Sequence, residues 1–316
     1  MSKNRGYYFL ANNTVLDLSI AFLNSFRTSN PGAQLCFIPY NDDHSEILAL
    51  RDIYKFEVFG DSDLLRHYDC VSTRFHGNVD GSYRKLAMWD GIYEEFAYID
   101  IDTIVLANAD FAFRFLAEFP CLTSHSNIPQ IRQFVWKDSI YETGRLSGEQ
   151  ISFSANTGFI VSEKGLIDRE RIFKEVDNAV ALKDHMALAC QEQPFLNYLI
   201  VTSGKPFTSL HTLYYEHEIQ DRIMLEKWAG VRDSIALNGH LYPTTKPTFL
   251  VHWAGEWQPD KFDFMCYKVL KRLRLMSEDR IPKLRILMPY KRLWKHYRYM
   301  RGMGTGATRG PAVSDT

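Results

Sequence analysis

With 316 residues, 46% hydrophobic and 14% aromatic content, the chain can bury a substantial core and is not intrinsically disordered. Its five cysteines (Cys36, Cys70, Cys121, Cys190 and Cys266) are scattered, odd in number and without a Cys-x-x-Cys pair, which argues against a disulfide framework or zinc site and for reduced thiols in a cytoplasmic protein. No apolar run approaches the roughly 18–20 residues of a membrane span, the run within Met1–Asn13 is too short for a signal peptide, and the net charge of −1 conceals a basic stretch, 271–301, whose eleven Lys and Arg face only Glu278 and Asp279.

In chain order, Tyr7–Ala11 predicts a first strand. Asn12 and Asn13 follow as a polar turn, Thr14 as an N-cap, and Val15–Phe26 as a buried helix. Asn30-Pro31-Gly32 breaks that helix, and Gln34–Ile38 predicts a second strand. Asp43–Tyr54 predicts a helix and Phe56–Phe59 a short third strand. Strands alternating with helices imply a parallel α/β sheet, whose ligands gather beyond the carboxyl ends of the strands. Asn12 and Asn13 are therefore candidates for nucleotide contact as well as turn formers. Ser82–Glu95 predicts a helix with Leu86, Trp89 and Tyr93 on its packed face, leading into a strand at Phe96–Ile101. Lys85 lies on that helix.

The end of this strand, Tyr98-Ile99-Asp100-Ile101-Asp102, carries two carboxylates one residue apart among apolar neighbours. On a strand, i and i+2 share a face, so the pair presents two hard oxygen ligands suited to a divalent cation carrying a phosphate. Taken alone, such a pair also caps a strand and opens a turn. Beyond it, Ala107–Phe119 predicts a helix, Cys121–Ser124 a strand, Ser154–Val161 a strand with Asn156 and Gly158 at its start, and Leu166–Leu182 a surface helix. Gly158 marks either a close backbone approach to a ligand or a bulge. Glu192-Gln193-Pro194 opens a helix over Phe195–Val201. Phe249–His252 predicts a late strand that ends on an imidazole, with Gly255 just beyond. No interdomain linker precedes Asp260, and Gly302–Thr316 has the composition of a disordered tail.

Four separated segments, in order, resemble glycosyltransferase family 8, the glycogenin and lipopolysaccharide-galactosyltransferase family. They are Lys85-Leu86 with Trp89 and the Asp100-Ile101-Asp102 strand end; Ala155-Asn156-Thr157-Gly158; Glu192-Gln193 with Leu196-Asn197; and His252-x-x-Gly255. The resemblance covers roughly Tyr7–Pro259. It implies a GT-A-type, Rossmann-like α/β fold, with a mixed, mainly parallel sheet flanked by helices over residues 1–260. A basic, aromatic helical extension (261–301) and a disordered tail (302–316) follow. It further implies that Asp100, Asp102 and His252 bind Mn²⁺ or Mg²⁺ bridging the diphosphate of a UDP-sugar donor. Lys85 and the Gly255 backbone then stabilise phosphate, Asn156 borders the sugar, Gly158 belongs to the donor-binding set, Glu192 and Gln193 face the reacting hexose, and the Ile101 backbone lies near the ribose. Family members transfer with retention of configuration. The acceptor implied is a glycan, a lipid-linked sugar or a protein.

This chain departs from the family pattern at Glu192, where the family has Asp, and at Gln258, where it has a cationic phosphate ligand. A nucleotide-sugar-binding scaffold with weak or no turnover is therefore the alternative. A phosphatase with Asp100 as nucleophile is a more distant rival, since Ile104 replaces the Thr or Val of that motif and no paired-Asp segment follows. A nucleotidyltransferase would need a Gly-rich loop after the first strand, and Ala11–Asp17 contains no Gly. The basic segment Leu284–Met300, rich in Leu, Trp and Tyr, reads either as a peripheral contact with an anionic membrane or as a helix packed on the acidic domain. No nucleic-acid-binding motif accompanies its charge.

Overall fold

The computed structural model describes residues 3–217, 219–228, 236–237, 240–241 and 246–254. Gly255, Gln258, Cys266, the domain boundary at 260, the basic extension and the tail lie outside these residues.

Strand β1 (Arg5–Ala11) is buried from Gly6 onward, as a strand covered on both faces must be. Tyr8 and Leu10 enter one core, Tyr7, Phe9 and Ala11 the other. Helix α1 (Leu16–Ser29) covers the second face and is followed by β2 (Leu35–Pro39), the short helices α2 (Ser45–Leu48) and α3 (Arg51–Tyr54), and β3 (Glu57–Val58). Helix α4 (Ser62–His76), which was not among the predicted elements, covers the first face. Its buried Leu64, Leu65, Tyr68, Val71 and Phe75 recur at helical spacing between an Asp61 N-cap and a left-handed Gly77.

After β4 (Glu95–Ile99) and β5 (Thr103–Val105) come β6 (Cys121–Thr123), α5 (Pro129–Arg132), α6 (Gly148–Phe153), β7 (Phe159–Glu163), α7 (Arg169–Val180) and α8 (Gln193–Val201). The rest are β8 (Phe207–Ser209), α9 (Leu210–Tyr215), β9 (Leu225–Trp228), the ribbon β10 (Ala236–Leu237) and β11 (His240–Leu241), and β12 (Thr248–His252). Seven strands form one sheet in the order β3-β2-β1-β4-β7-β6-β8, in which β7 alone runs antiparallel to its neighbours. A second sheet, β5-β12-β9, pairs β12 antiparallel to β5 and parallel to β9. The fold class is therefore the expected one, a mixed, mainly parallel sheet flanked by helices.

Three local expectations are corrected. The segment after α4 is a 3-10 helix, Gly81–Asp90, which stops at Gly91 before the strand begins. Leu86 and Trp89 are three residues apart, a spacing common to both helix types, so the pattern could not separate them. The segment is anchored by Arg84, which donates to both carboxylate oxygens of Asp69 on α4 at 2.8 and 2.6 Å, and by Trp89 Nε1, which donates to Ser162 Oγ at 2.9 Å. Residues 110–115 are likewise a short 3-10 turn rather than a long helix. Finally, Thr14 is not a cap. The Asn12 side chain accepts the Thr14 N–H at 3.1 Å, closing a 3-10 turn before α1.

The four described cysteines (Cys36, Cys70, Cys121 and Cys190) are free thiols. Among the described residues no helix is long and apolar enough to cross a membrane.

Candidate active site

The sheet order β2-β1-β4 places a topological switch between β1 and β4, where open α/β sheets bind their ligands. A cleft of about 380 Å³ lies there, beyond the carboxyl ends of these strands. Leu10 and Ala11 line it from β1 and Asn12 from the turn that follows, Tyr98 from β4 and Asp100, Ile101 and Asp102 from just beyond it, Lys85 from the 3-10 helix, and Glu192 from the start of α8.

The two carboxylates do not sit on a strand as the alternation argument supposed. Strand β4 ends at Ile99, and Asp100-Ile101-Asp102 is the bend by which the chain leaves the large sheet for the small one. Thr103 Oγ1 donates to the Asp100 carbonyl at 2.6 Å, and the Asp100 N–H donates to the Gly158 carbonyl at 2.8 Å. Ile101 packs against the small apolar cluster that contains Ile104, Val251 and Trp253, and it also lines the cleft. The pairing of β12 with β5 sets His252 opposite Thr103, and the Trp253 N–H donates to the Asp102 carbonyl at 3.0 Å. Register thus carries His252 to the Asp pair across 150 residues of sequence.

One donor atom from each of Asp100, Asp102 and His252 lies within 4.8 Å of the others. His252 Nε2 is 3.2 Å from Asp102 Oδ1. Two carboxylate oxygens and an imidazole nitrogen are a donor set that suits a borderline-hard divalent cation. Burial alone would lower the His252 pKa, but the Asp102 and Glu226 carboxylates hold it well above the ordinary histidine range.

Gly158 acquires a specific reason. A Cβ at this position would lie 2.2 Å from His252 Cε1 and 3.0 Å from Asp100 Oδ2. The space that a side chain would fill here is the seat of the His252 ring.

Lys85 is buried, with its side chain 3% exposed, and its Nζ lies 2.5 Å from Glu192 Oε1, 3.3 Å from Asp100 Oδ1 and 4.5 Å from the Tyr98 ring centre. Burial would lower its pKa, but Asp100 and Glu192 hold the ammonium above the usual lysine range. Tyr98 OH donates to Asp100 Oδ1 at 2.7 Å, and burial followed by the Asp100 charge raises the phenol well above its ordinary value. Asp100 is therefore oriented from two sides.

The Ala155–Gly158 turn is held from α8. Asn197 Oδ1 accepts the Ala155 N–H at 2.6 Å, while Asn197 Nδ2 donates to the Ala155 carbonyl at 2.9 Å. Gln193 Oε1 accepts the Thr157 N–H at 3.3 Å and Gln193 Nε2 donates to the Phe134 carbonyl at 3.1 Å. Asn156 Oδ1 accepts the Gly158 N–H at 2.9 Å. Lys85, Asp100, Asp102, Glu192 and His252 thus meet around one end of the cleft, with Asn156, Gly158 and Gln193 in the layer that supports them. Asn12 lines the cleft from the turn that follows β1. Gly255 and Gln258 are outside the described residues.

Sequence reasoning missed two side chains. Tyr98 was within the quoted strand, and its i, i+2 relation to Asp100 was the available signal. Glu226 of β9, whose Oε1 lies 2.7 Å from His252 Nδ1, had none: a lone acid in Leu225-Glu226-Lys227-Trp228 reads as solvent-facing. It is fully buried, and although burial would raise its carboxyl, His252 beside it brings the pKa down to about 2.

No protein-family model and no curated protein sequence matches the chain. Solved structures do match in fold. The galactosyltransferase LgtC in complex with donor and acceptor sugar analogs aligns with a TM-score of 0.53 at 13% identity, over 85% of this chain and 94% of LgtC. An active-site mutant of LgtC aligns with a TM-score of 0.54 at 13% identity, over 87% and 95%. The apo bifunctional glycosyltransferase WbbM aligns with a TM-score of 0.51 at 13% identity, and this chain spans half of WbbM's length. The chain therefore has the GT-A-like fold of these glycosyltransferases.

Proposed function

We propose that the chain is a metal-dependent, retaining glycosyltransferase that moves a hexose from a UDP-linked nucleotide sugar to a carbohydrate or glycolipid acceptor. The observation that carries this reading is the convergence of Asp100, Asp102 and His252 at the switch-point cleft of a glycosyltransferase fold. That LgtC was solved with donor and acceptor sugar analogs supports the substrate class.

Asp100, Asp102 and His252 are the residues that would hold Mn²⁺ or Mg²⁺. When bound there, the cation supplies positive charge against the diphosphate that departs from the sugar. Asn12 and the Ile101 backbone border the nucleotide in this reading, and Asn156 and Gly158 border the sugar. Lys85 fixes Asp100 and Glu192 and adds a preorganised positive charge to the cleft wall, where it needs no reorganisation as negative charge develops. Glu192 and Gln193 face the hexose, and Gln193 also holds the turn at Thr157. Attack by the acceptor from the leaving-group side requires no enzyme nucleophile. Glu192, the carboxylate nearest to that role, is ion-paired to Lys85.

One observation favours a second reading, a nucleotide-sugar-binding scaffold without turnover. Among the described residues lining the cleft Lys85 is the only basic side chain, and it is paired to two carboxylates; Gln258 stands where the resembled family has a cation. Incubating the full chain with a panel of UDP-sugars and acceptors, with and without Mn²⁺, separates the two. Mn²⁺-dependent UDP release with retained anomeric configuration in the product supports the enzyme. Binding without release across the panel supports the scaffold, and absence of UDP binding counts against both.

A further inference from the structure

We propose that Glu226 is the positioning residue for His252, fixing which ring nitrogen faces the Asp pair; the inference rests on the metal-binding reading of this site. Strand β9 runs parallel to β12, with Glu226 opposite Leu250 and Trp228 opposite His252. This pairing brings the Glu226 carboxylate behind the imidazole. Oε1 accepts from His252 Nδ1 at 2.7 Å and from Trp228 Nε1 at 2.9 Å. On the other side of the ring, Nε2 is 3.2 Å from Asp102 Oδ1.

The two nitrogens of an imidazole are distinguished by the hydrogen bond that one of them makes. With Nδ1–H given to Glu226, the lone pair of a neutral His252 is confined to Nε2 and directed at Asp100 and Asp102. Without that bond the ring can turn over, and either tautomer is accessible. Packing alone does not call for this residue. A side chain with no exposed surface that carries a full charge costs several kcal/mol to bury, and an apolar residue of the same size would fill the space. The carboxylate–imidazole arrangement, by contrast, is the one that fixes ring orientation and strengthens a histidine as a metal ligand. Gly158 supplies the complementary half of the device, since only a residue without Cβ admits the ring in this orientation.

The test measures Mn²⁺ affinity of the full chain without nucleotide, by the electron paramagnetic resonance signal of free Mn²⁺, in wild type, Glu226→Gln and Glu226→Asp. Loss of affinity by about 10–100-fold in both variants is expected, with UDP binding restored at saturating Mn²⁺. That restoration would not occur if the variants had merely lost structure. The Asp variant keeps the charge one methylene short and serves if the Gln variant does not fold. Wild-type affinity in either folded variant overturns the proposal. Absence of Mn²⁺ binding by the wild type overturns it as well, and is recognisable as failure of the metal reading itself.

Discussion

Lys85 Nζ lies 2.5 Å from Glu192 Oε1, joining the 3-10 helix that precedes β4 to the first turn of α8 across 107 residues of sequence. Asp100 shares the same ammonium at 3.3 Å, so one buried cation balances two carboxylates at the cleft. Removing it leaves like charges facing each other with little water to screen them. Lys85→Met is therefore expected to destabilise the protein by about 3–5 kcal/mol, measured by urea denaturation. Glu192→Gln keeps a hydrogen-bond acceptor for Lys85 and is expected to cost less stability, while lowering UDP release from a donor sugar by about 10²–10³-fold. Equal stability losses in the two variants would contradict the assigned charge balance.

Gly158→Ala tests the seat of the His252 ring. The new Cβ would meet Cε1 at 2.2 Å, and the ring must shift from its present position to admit it. Overpacking of this kind costs roughly 1–3 kcal/mol. The sharper expectation is loss of Mn²⁺ affinity at unchanged secondary structure, read by the free-Mn²⁺ resonance signal and circular dichroism. Unchanged affinity would show that His252 tolerates displacement.

A pH dependence of stability follows from His125 and His211, whose ring centres are 5.6 Å apart. Burial, followed by the neighbouring His125, lowers the His211 pKa to about 4, and burial likewise lowers that of His125. Above a pH of about 6.5 both residues are neutral in the folded and unfolded chains, and the stability is fully present. As the pH falls from about 6.5 toward 4, the unfolded chain takes up protons that the folded one refuses, and stability is lost. His211→Gln is expected to flatten the fall in Tm between pH 7 and pH 5. An identical slope in the variant would rule out this origin.

The parts of the site most legible in the sequence are those whose residues interrupt an apolar run. Asp100 and Asp102 stand out because Ile and Val surround them, and His252 because it ends a strand. The bend that holds the Asp pair was one of two readings the sequence offered, and local composition could not choose between them, since a strand end and a strand-to-strand crossing look alike. Lys85, Asp100 and Glu192 were each found, but their ion pairing was not, because pairing across 107 residues depends on how α8 meets the sheet. Glu226 was invisible for the same reason: only the non-local pairing of β9 with β12 buries it. In the fold, β1, β2 and β4 were readable as continuous apolar runs covered on both faces. Helix α4 was hidden by the many polar residues on its outer surface, although Asp61, Gly77 and the apolar spacing between them mark it. The 3-10 character of 81–90 rests on packing beneath α4, which no local spacing encodes.

The central claim is that Asp100, Asp102 and His252 form a metal-dependent nucleotide site, and titration calorimetry of UDP tests it most directly. UDP would be titrated into the full chain with and without Mn²⁺, and into Asp102→Asn, which preserves shape while removing one charge. The account predicts Mn²⁺-dependent binding by the wild type and at least about a tenfold loss in the variant, the 1.4 kcal/mol expected from one charge-assisted contact. Binding of equal strength without Mn²⁺ and in Asp102→Asn would contradict it, as would the absence of UDP binding under either condition.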